Sequence, residues 1–276
     1  MRTRLIRLLP VFVVLCFSAE GLAQTRNFDP RDLTGFWIGP PPSERPKENS
    51  HPPYTPAGME AMSKRVPNYI SKEAAQGEAA GCRNATCSND PIYACNPIGF
   101  PRHVWEENEP FEITTTPGGR MLQLFQWGRT LREIWMDGRQ LPSGQTLENI
   151  GPNWYGHSVA QWQGDTLVIN STGFNEKAWP DQYGHPLSFD AKIEERYRRI
   201  NADTIEAQMT IHDPKNYTAP WGPLTRRFNR MKPDDVEFFG WKGLFSGVTD
   251  GMCAPMNEVE DFNRRIRDRA IFGDKK

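Results

Sequence analysis

The sequence predicts a mostly β protein, in which an irregular, proline-rich segment precedes an antiparallel β-barrel and a helix follows it. Short runs in which apolar and polar residues alternate recur from residue 111 to residue 241. Turn-forming sequences such as Asp137-Gly138 separate these runs, and little helix is predicted between them. Neighbouring strands are therefore expected to pair antiparallel, in a sheet that curls on itself.

The predicted strands are arranged as hairpins, with turns at residues 163–165, 201–203 and 232–235. A turn leading into another strand is predicted at residues 32–38, and a charged C-terminal helix at residues 257–269. One globular unit is expected over residues 24–276. Within it, an irregular segment with short helices and a disulfide loop covers residues 24–110, and the barrel with its C-terminal helix covers residues 111–276.

The N-terminus has the features of a cleavable secretion signal. Arg2, Arg4 and Arg7 form a basic region, residues 8–17 are mostly apolar, and small residues precede a cleavage site near Ala23. The apolar run is too short to span a bilayer as a helix. We therefore expect a periplasmic or secreted protein that is not inserted in a membrane.

Charge and composition narrow the expected partners. Net charge is −1, and removing residues 1–23 takes away three arginines and one glutamate, which leaves −3. The absence of a basic stripe argues against nucleic acid as a partner. Aromatic residues make up 11% of the chain, which suits a pocket for a small apolar or aromatic molecule. No nucleotide-binding loop or compact metal motif is present, so no cofactor or metal is expected.

Four cysteines remain after signal cleavage, and an even number in an oxidising compartment predicts two disulfides. These are Cys82, Cys87, Cys95 and Cys253. Of the three pairings, we favour a local Cys82–Cys87 bridge with a long-range Cys95–Cys253 bridge. A zinc site at these cysteines is the rival interpretation, but the spacings lack the paired C-x2-C motif that such sites usually show.

Candidate functional residues are concentrated between residues 154 and 221, around a long irregular connection at residues 171–190. The acid–base candidates are His157, His185, Asp181 and Glu195. The candidate ligand contacts are Trp154, Tyr155, Phe174, Trp179, Tyr217, Trp221 and Arg196. A histidine and an aspartate this close in a loop can pair, so that the carboxylate orients the imidazole for acid–base catalysis.

The charged and histidine candidates also have structural interpretations. Glu195 and Arg196 are adjacent in a predicted strand and therefore point to opposite faces of the sheet. A Glu195 ion pair with Arg226 or Arg227 is as good an interpretation as catalysis. His157 can satisfy a backbone carbonyl at the start of its strand, and His185 can order its loop. A metal site built from these two histidines and a carboxylate is less favoured.

Several motifs resemble a large, mostly uncharacterised family of exported bacterial proteins. They are Cys95-x-Pro97-x-Gly99-x-Pro101-Arg102, Trp154-Tyr155-Gly156-His157-Ser158-Val159 with Trp162-x-Gly164-Asp165-Thr166-Leu167-Val168, Gly173-Phe174-Asn175 with Trp179, and Asp213-Pro214-Lys215-x-Tyr217-Thr218-x-Pro220-Trp221. The resemblance supports the pairing of Cys95 with Cys253 and implies no particular activity. Gly35-Phe36-Trp37 also resembles the G-x-W signature of lipocalin-type (calycin) barrels, which implies a calycin-like architecture.

Three functional hypotheses follow. The first is an exported binder of a small apolar or aromatic molecule, held in an aromatic-lined pocket at the barrel mouth. The second is a cofactor-free lyase, isomerase or hydrolase that uses a histidine–carboxylate pair in the same pocket. The third is a structural surface protein. Convergence of His157, His185 and a carboxylate in an aromatic cleft would favour the enzyme.

Overall fold

The structure is a computed structural model, and it describes residues 27–40, 52–67, 89–107, 109–126, 128 and 130–231. In these residues nine strands form one closed barrel, in which each strand lies beside its neighbours in the chain. The strands are β1 Gly35–Ile38, β2 Phe111–Thr116, β3 Arg120–Phe125, β4 Leu131–Trp135, β5 His157–Gln163, β6 Thr166–Thr172, β7 Lys192–Asn201, β8 Thr204–His212 and β9 Trp221–Arg230. The prediction of a largely antiparallel β-barrel is confirmed.

Three α-helices and one 3-10 helix accompany the barrel in the described ranges. The α-helices are α1 Pro56–Ser63, α2 Arg102–Trp105 and α3 Gly144–Ile150, and the 3-10 helix is Pro91–Ala94. Thr55 caps α1, since its side chain accepts a hydrogen bond from the Gly58 backbone N–H. No helix in these ranges is long and apolar enough to span a membrane.

The barrel closes through β1, which pairs antiparallel with both β2 and β9. Trp37 lies opposite Phe111 on β2 and Arg230 on β9, and it is completely buried. The Arg230 guanidinium carbon lies 4.5 Å from the centre of the Trp37 ring. Gly35 has φ of +122°, a backbone conformation that residues with a Cβ rarely adopt, so a glycine suits the position two residues before the tryptophan. The N-terminal segment therefore contributes a strand to the barrel.

The alternation of apolar and polar residues predicted in the strands corresponds to the two faces of the barrel wall. Along β7, Ile193, Glu195 and Tyr197 are buried, whereas Glu194 and Arg196 between them are half-buried. Because successive side chains of a strand point to opposite faces, the buried set points into the barrel. The core also contains inward residues from the neighbouring strands, namely Leu167, Ile169, Ile205, Ala207, Met209, Ile211 and Phe228.

One strand pair departs from the antiparallel pattern. β4 and β5 are parallel, and only two residue pairs join them, Ile134 with Ser158 and Trp135 with Val159. A parallel pair needs a crossover, which is residues 136–156 with α3. Asp137-Gly138 does lie in a bend after β4, but the chain then crosses over instead of forming a hairpin.

The two ends of the barrel have different connections. At one end, here called the hairpin end, short turns at residues 117–119, 164–165 and 202–203 join the strands. The opposite end, here called the long-loop end, carries the connections at residues 39–110, 126–130, 173–191 and 213–220. Long connections commonly carry binding or catalytic residues, which directs attention to this end.

Several predictions lie outside the described residues. They are the secretion signal at residues 1–23, Cys82, Cys87, Cys253, the third hairpin turn at residues 232–235, the strand that follows it, and the C-terminal helix at residues 257–269. Cys95 is described and adopts a left-handed conformation directly after the 3-10 helix, with φ of 59°. The disulfide pairings therefore stay predictions.

Candidate functional site

The barrel interior contains an ion pair. The sequence predicted one member, Glu195, but not its partner. Glu195 points inward and is completely buried, while its neighbour Arg196 lies on the outer face, as predicted. The partner of Glu195 is Arg132 on β4, with Arg132 Nη2 lying 2.6 Å from Glu195 Oε2. The predicted pairing with Arg226 or Arg227 is wrong, because closure of the sheet brings β4 across the interior to face β7.

Hydrogen bonds surround this ion pair. Arg132 donates to Gln123 Oε1 at 3.1 Å and to Ser171 Oγ at 2.9 Å. Tyr197 donates its hydroxyl to Glu195 Oε1 at 2.7 Å. Burial and the Glu195 charge raise the pKa of Tyr197 well above its usual value. A pair satisfied in this way stabilises the interior but has no spare group for chemistry. We call Arg132, Glu195, Gln123, Ser158, Ser171 and Tyr197 the interior network.

The three arginines that the sequence predictions named have contacts elsewhere. Arg226 donates through Nε to the Trp105 backbone oxygen at 3.1 Å, which ties β9 to α2. Arg227 lies 2.9 Å from Glu206 on the exposed side of the barrel. Arg196 contacts Glu194 and Gln163 on the outer face, so the structure does not bring it to the aromatic candidates.

Asp181 and His185 form a buried pair in the long connection between β6 and β7. His185 Nδ1 and Asp181 Oδ2 share a short hydrogen bond, and both side chains are about nine-tenths or more buried. Asp181 Oδ1 accepts the backbone N–H of Tyr183 at 2.9 Å, which folds the segment into a turn. Gly184, with φ of +81°, allows the Arg65 carbonyl to approach where a Cβ would lie 2.4 Å away.

Aromatic rings enclose His185 on several sides. Its ring centre lies 4.9 Å from that of Trp221, 5.9 Å from that of Tyr54 and 6.2 Å from that of Tyr183. Tyr217 packs against Tyr54 and Trp221, and its hydroxyl donates to the Pro186 backbone oxygen. We call Asp181, His185, Tyr54, Tyr183, Tyr217 and Trp221 the His185 cluster. Tyr183 is 46% exposed, so the cluster reaches the surface.

The pKa values of two tyrosines in the cluster are raised above the ordinary value. Burial and the nearby Asp181 charge raise the pKa of Tyr54 to about 12. The same two causes raise the pKa of Tyr217. The two phenols therefore stay protonated to a more alkaline pH than a free tyrosine does. Tyr54 was not predicted, because it reaches the cluster through a bridge to Tyr217 from a distant part of the chain, which no local pattern reveals.

His185 Nε2 differs from its Nδ1, since among the described residues only Nδ1 has a hydrogen-bond partner, the Asp181 carboxylate. Because the Asp181 carboxylate accepts the Nδ1 hydrogen, a neutral ring presents Nε2 as an acceptor. Such a nitrogen can bind the polar group of a ligand or move a proton. The pairing of a loop aspartate with a loop histidine is the arrangement that their spacing suggested.

His157 lies in a different environment. Its Nε2 contacts the Gly151 backbone oxygen at 2.8 Å. A Cβ on Gly173 would come 2.7 Å from the His157 ring and 2.8 Å from Leu147 of α3, so the ring packs tightly there. All of these partners belong to the crossover or to the end of β6. The structure thus does not bring His157 together with His185. Instead, the His157 ring forms a hydrogen bond with a backbone carbonyl.

The remaining aromatic candidates lie at the long-loop end but mostly within its packing. Phe174 is completely buried and stacks on Phe100 at 6.2 Å. Trp179 is 5% exposed, and Trp154 is half-buried against the core. Tyr155 is buried and connects through its hydroxyl to His103, a residue that the sequence analysis did not single out.

His103, the first residue after the proline-rich motif 95–102, uses both of its ring nitrogens. Nδ1 lies 2.7 Å from the Tyr155 hydroxyl, and Nε2 lies 3.1 Å from Glu109 Oε2. The ring also stacks on Phe125 at 4.0 Å. Burial lowers the pKa of His103 to about 3. No periodicity distinguishes a histidine of this kind from any other, so only the tertiary structure identifies it.

Within the described ranges, no three His, Cys, Asp or Glu side chains lie close enough together to hold a metal ion. Comparisons of the chain with protein-family models, with curated proteins and with solved structures found no match.

Proposed function

We propose that this protein binds a small molecule with a flat, partly apolar ring, in the His185 cluster at the long-loop end of the barrel. Aromatic walls suit a flat ligand, because ring faces stack and exclude water. His185 Nε2 supplies one hydrogen-bonding position for a polar group of that ligand. The Tyr54 ring, which stacks 5.9 Å from that of His185, would form one wall of the site.

One observation carries this proposal, namely that among the described residues the His185 ring has a hydrogen-bond partner at Nδ1, which is Asp181, and none at Nε2. His103 differs from His185, since both of its ring nitrogens have partners within the fold. An available ring nitrogen beside the exposed Tyr183 is placed to contact a ligand.

A second candidate function is acid–base catalysis without a cofactor. Asp181 on Nδ1 orients the imidazole and stabilises the imidazolium that forms when Nε2 takes a proton. The paired loop residues favour this candidate over a structural surface protein. In this function His185 is the catalytic residue and Asp181 is its positioning residue.

We also propose that the mature protein is exported and carries the Cys95–Cys253 and Cys82–Cys87 bridges. The N-terminal pattern of residues 1–23 and the even number of remaining cysteines support this. Its partner is a small molecule, since the chain shows no basic stripe for nucleic acid. The calycin-like relationship belongs to the same proposal, supported by the Gly35-Phe36-Trp37 motif at the barrel closure.

Ligand-observed NMR with indole, benzoate and 4-hydroxybenzaldehyde tests the binding site. His185→Asn keeps a donor near the Nδ1 position for Asp181 and removes Nε2, so binding of the best fragment should weaken about tenfold or more, as for a lost buried hydrogen bond. His212→Asn is the matched control, because His212 is an exposed histidine at the same end of the barrel. Equal binding by both variants would place the site elsewhere.

Catalysis is distinguished from binding by Asp181→Asn. This change retains hydrogen-bonding capacity but removes the charge that stabilises an imidazolium. If His185 is catalytic, hydrolysis of 4-nitrophenyl acetate should fall about 100-fold or more while fragment binding changes little. Unchanged hydrolysis in both Asp181→Asn and His185→Asn would leave ligand binding as the function.

A further inference from the structure

A cavity of about 340 Å³ lies where β4 and β5 separate. Only Ile134 and Trp135 of β4 pair with β5, so the two strands lie side by side over a short length. The crossover that joins the strands forms part of the lining, through residues such as Arg139, Pro142 and Asn153. The volume falls in the range of small-molecule sites.

The strand side chains that line this cavity point to the outer face of the barrel. They are Leu131, Glu133 and Trp135 on β4, with His157 and Val159 on β5. Arg132, Tyr155 and Ser158 also border the cavity, but their polar groups form hydrogen bonds within the core. A ligand would therefore meet the outward-facing set. We call the space that this set encloses with Arg139, Gln140, Pro142, Ile150 and Asn153 of the crossover the outer cavity.

The two charged side chains of the outward-facing lining are each paired with a neighbour. Glu133 Oε1 accepts a hydrogen bond from Arg120 Nη1 at 2.5 Å. Arg139 donates through Nη2 to Asp137 Oδ2 at 2.7 Å and through Nε to the same carboxylate. Because both charges are compensated, a charged ligand would give up hydration without gaining an ion pair. The lining thus favours a neutral ligand.

Three uncharged polar side chains supply both donors and acceptors to the outer cavity. His157 donates through Nε2 to the Gly151 carbonyl at 2.8 Å, so Nδ1 of the neutral ring is an acceptor. Asn153 Oδ1 accepts the Tyr155 backbone N–H at 3.0 Å, which leaves the amide NH2 group as a donor. The amide of the exposed Gln140 offers both functions. Hydroxyl groups match such a lining, since each one donates and accepts.

Apolar side chains lie beside these polar groups. Leu131 and Ile150 are 48% and 51% exposed at the rim. The Arg139 and Arg120 guanidinium carbons lie 3.5 Å and 5.2 Å from the centre of the Trp135 ring, which fixes the indole in place. A lining of this mixed kind suits a compact ring that has C–H groups on its faces and hydroxyl groups around its edge.

We propose that the outer cavity is a binding site for a neutral saccharide. Hydroxyl groups of the sugar ring donate to His157 Nδ1 and accept from the Asn153 amide, while its C–H groups lie against Leu131 and Val159. The site shares no residue with the His185 cluster, so it is independent of the function proposed there.

Saturation-transfer NMR with methyl β-D-glucopyranoside, methyl β-D-galactopyranoside and maltose tests the site. At least one of these probes should bind the native protein, and Val159→Tyr should weaken its binding about tenfold or more by filling the cavity. Gln161→Tyr is the matched control, because Gln161 is exposed on the same face of β5 and lies outside the lining. Ile150→Trp should fill the cavity from α3, without a change in a strand.

Binding should be unchanged in Gln161→Tyr and in His185→Asn. The second result would separate this site from the His185 cluster. No binding of any of the three probes by the native protein would overturn the proposal. Retained binding in either Val159→Tyr or Ile150→Trp would overturn it as well.

The preference for a neutral ligand is tested at pH 6 with glucose, protonated glucosamine and glucuronate, which present similar rings with different charges. The native protein should bind glucose about threefold or more tightly than either charged sugar. Arg120→Met removes the charge that compensates Glu133 but changes no residue of the lining, so glucosamine should bind this variant more tightly than it binds the native protein. Tighter binding of glucosamine or glucuronate than of glucose by the native protein would overturn the assignment to neutral saccharides.

Discussion

The interior network and the His185 cluster both bury charged groups, but they differ in how completely those groups are bonded. Around Arg132 and Glu195, no buried side-chain polar atom in the described part of the chain lacks a hydrogen bond. In the His185 cluster, Asp181 holds one ring nitrogen, and the other has no hydrogen-bond partner among the residues that the structure describes. Burial alone therefore does not distinguish the two regions, whereas an unused hydrogen-bonding position beside the surface does.

The largest effect should come from breaking the interior network. Glu195→Gln leaves the Arg132 charge buried without a counter-charge, and we expect a loss of about 3–5 kcal/mol in the free energy of unfolding. Urea denaturation measures it. The matched control is Glu194→Gln on the outer face, where the side chain is 41% exposed and the loss should be within about 0.5 kcal/mol.

The double variant Arg132→Met with Glu195→Met sharpens the first prediction. It removes both charges, so it should be less destabilised than Arg132→Met alone, which leaves Glu195 unpaired. A double variant that is destabilised by the sum of the two single changes would show that the two residues act independently.

An intermediate effect on the free energy of unfolding is expected from pH, through Glu109 and His103, which share a hydrogen bond. Glu109 has a pKa raised from 4.5 to about 8, so its contribution to stability is present below pH 4.5 and is lost as pH rises toward 8. His103 has a pKa lowered from 6.5 to about 3, so its contribution is lost only as pH falls below 6.5. Of these two groups, Glu109 accounts for most of the change between pH 6.5 and 8, and its titration should lower stability by about 2 kcal/mol.

Urea denaturation of Glu109→Gln at pH 6.5 and pH 8 checks this dependence, because the amide does not titrate and the fall should disappear. Glu133→Gln serves as the control, since its side chain is 43% exposed and should leave the pH dependence as it is in the native protein. A native protein with equal stability at the two pH values would show that Glu109 is already ionised at pH 6.5.

The smallest effect should come from Arg196, the sequence-predicted ligand contact that lies on the outer face. Its contacts with Glu194 and Gln163 are largely exposed, so Arg196→Ala should change the free energy of unfolding by about 0.5 kcal/mol or less. Fragment binding at the His185 cluster should be unaffected. A loss of binding in this variant would extend the site to the outer wall of the barrel.

The alternation of apolar and polar residues was sufficient to predict the barrel and the opposite orientations of Glu195 and Arg196. Close spacing was also sufficient to suggest that Asp181 and His185 pair, because only three loop residues lie between them. These inferences share a cause, since each depends on backbone geometry over a few residues. Local geometry is encoded by local sequence.

Contacts between distant segments were decided only by the tertiary structure. The parallel pairing of β4 with β5 depends on the crossover as a whole, which the local Asp137-Gly138 turn does not determine. Barrel closure makes Arg132 the partner of Glu195 and brings Tyr54 against His185. It also joins Glu109 to Tyr155 by hydrogen bonds through His103. A pattern along one strand shows which face a side chain occupies, but the register and closure of the sheet choose what it meets there.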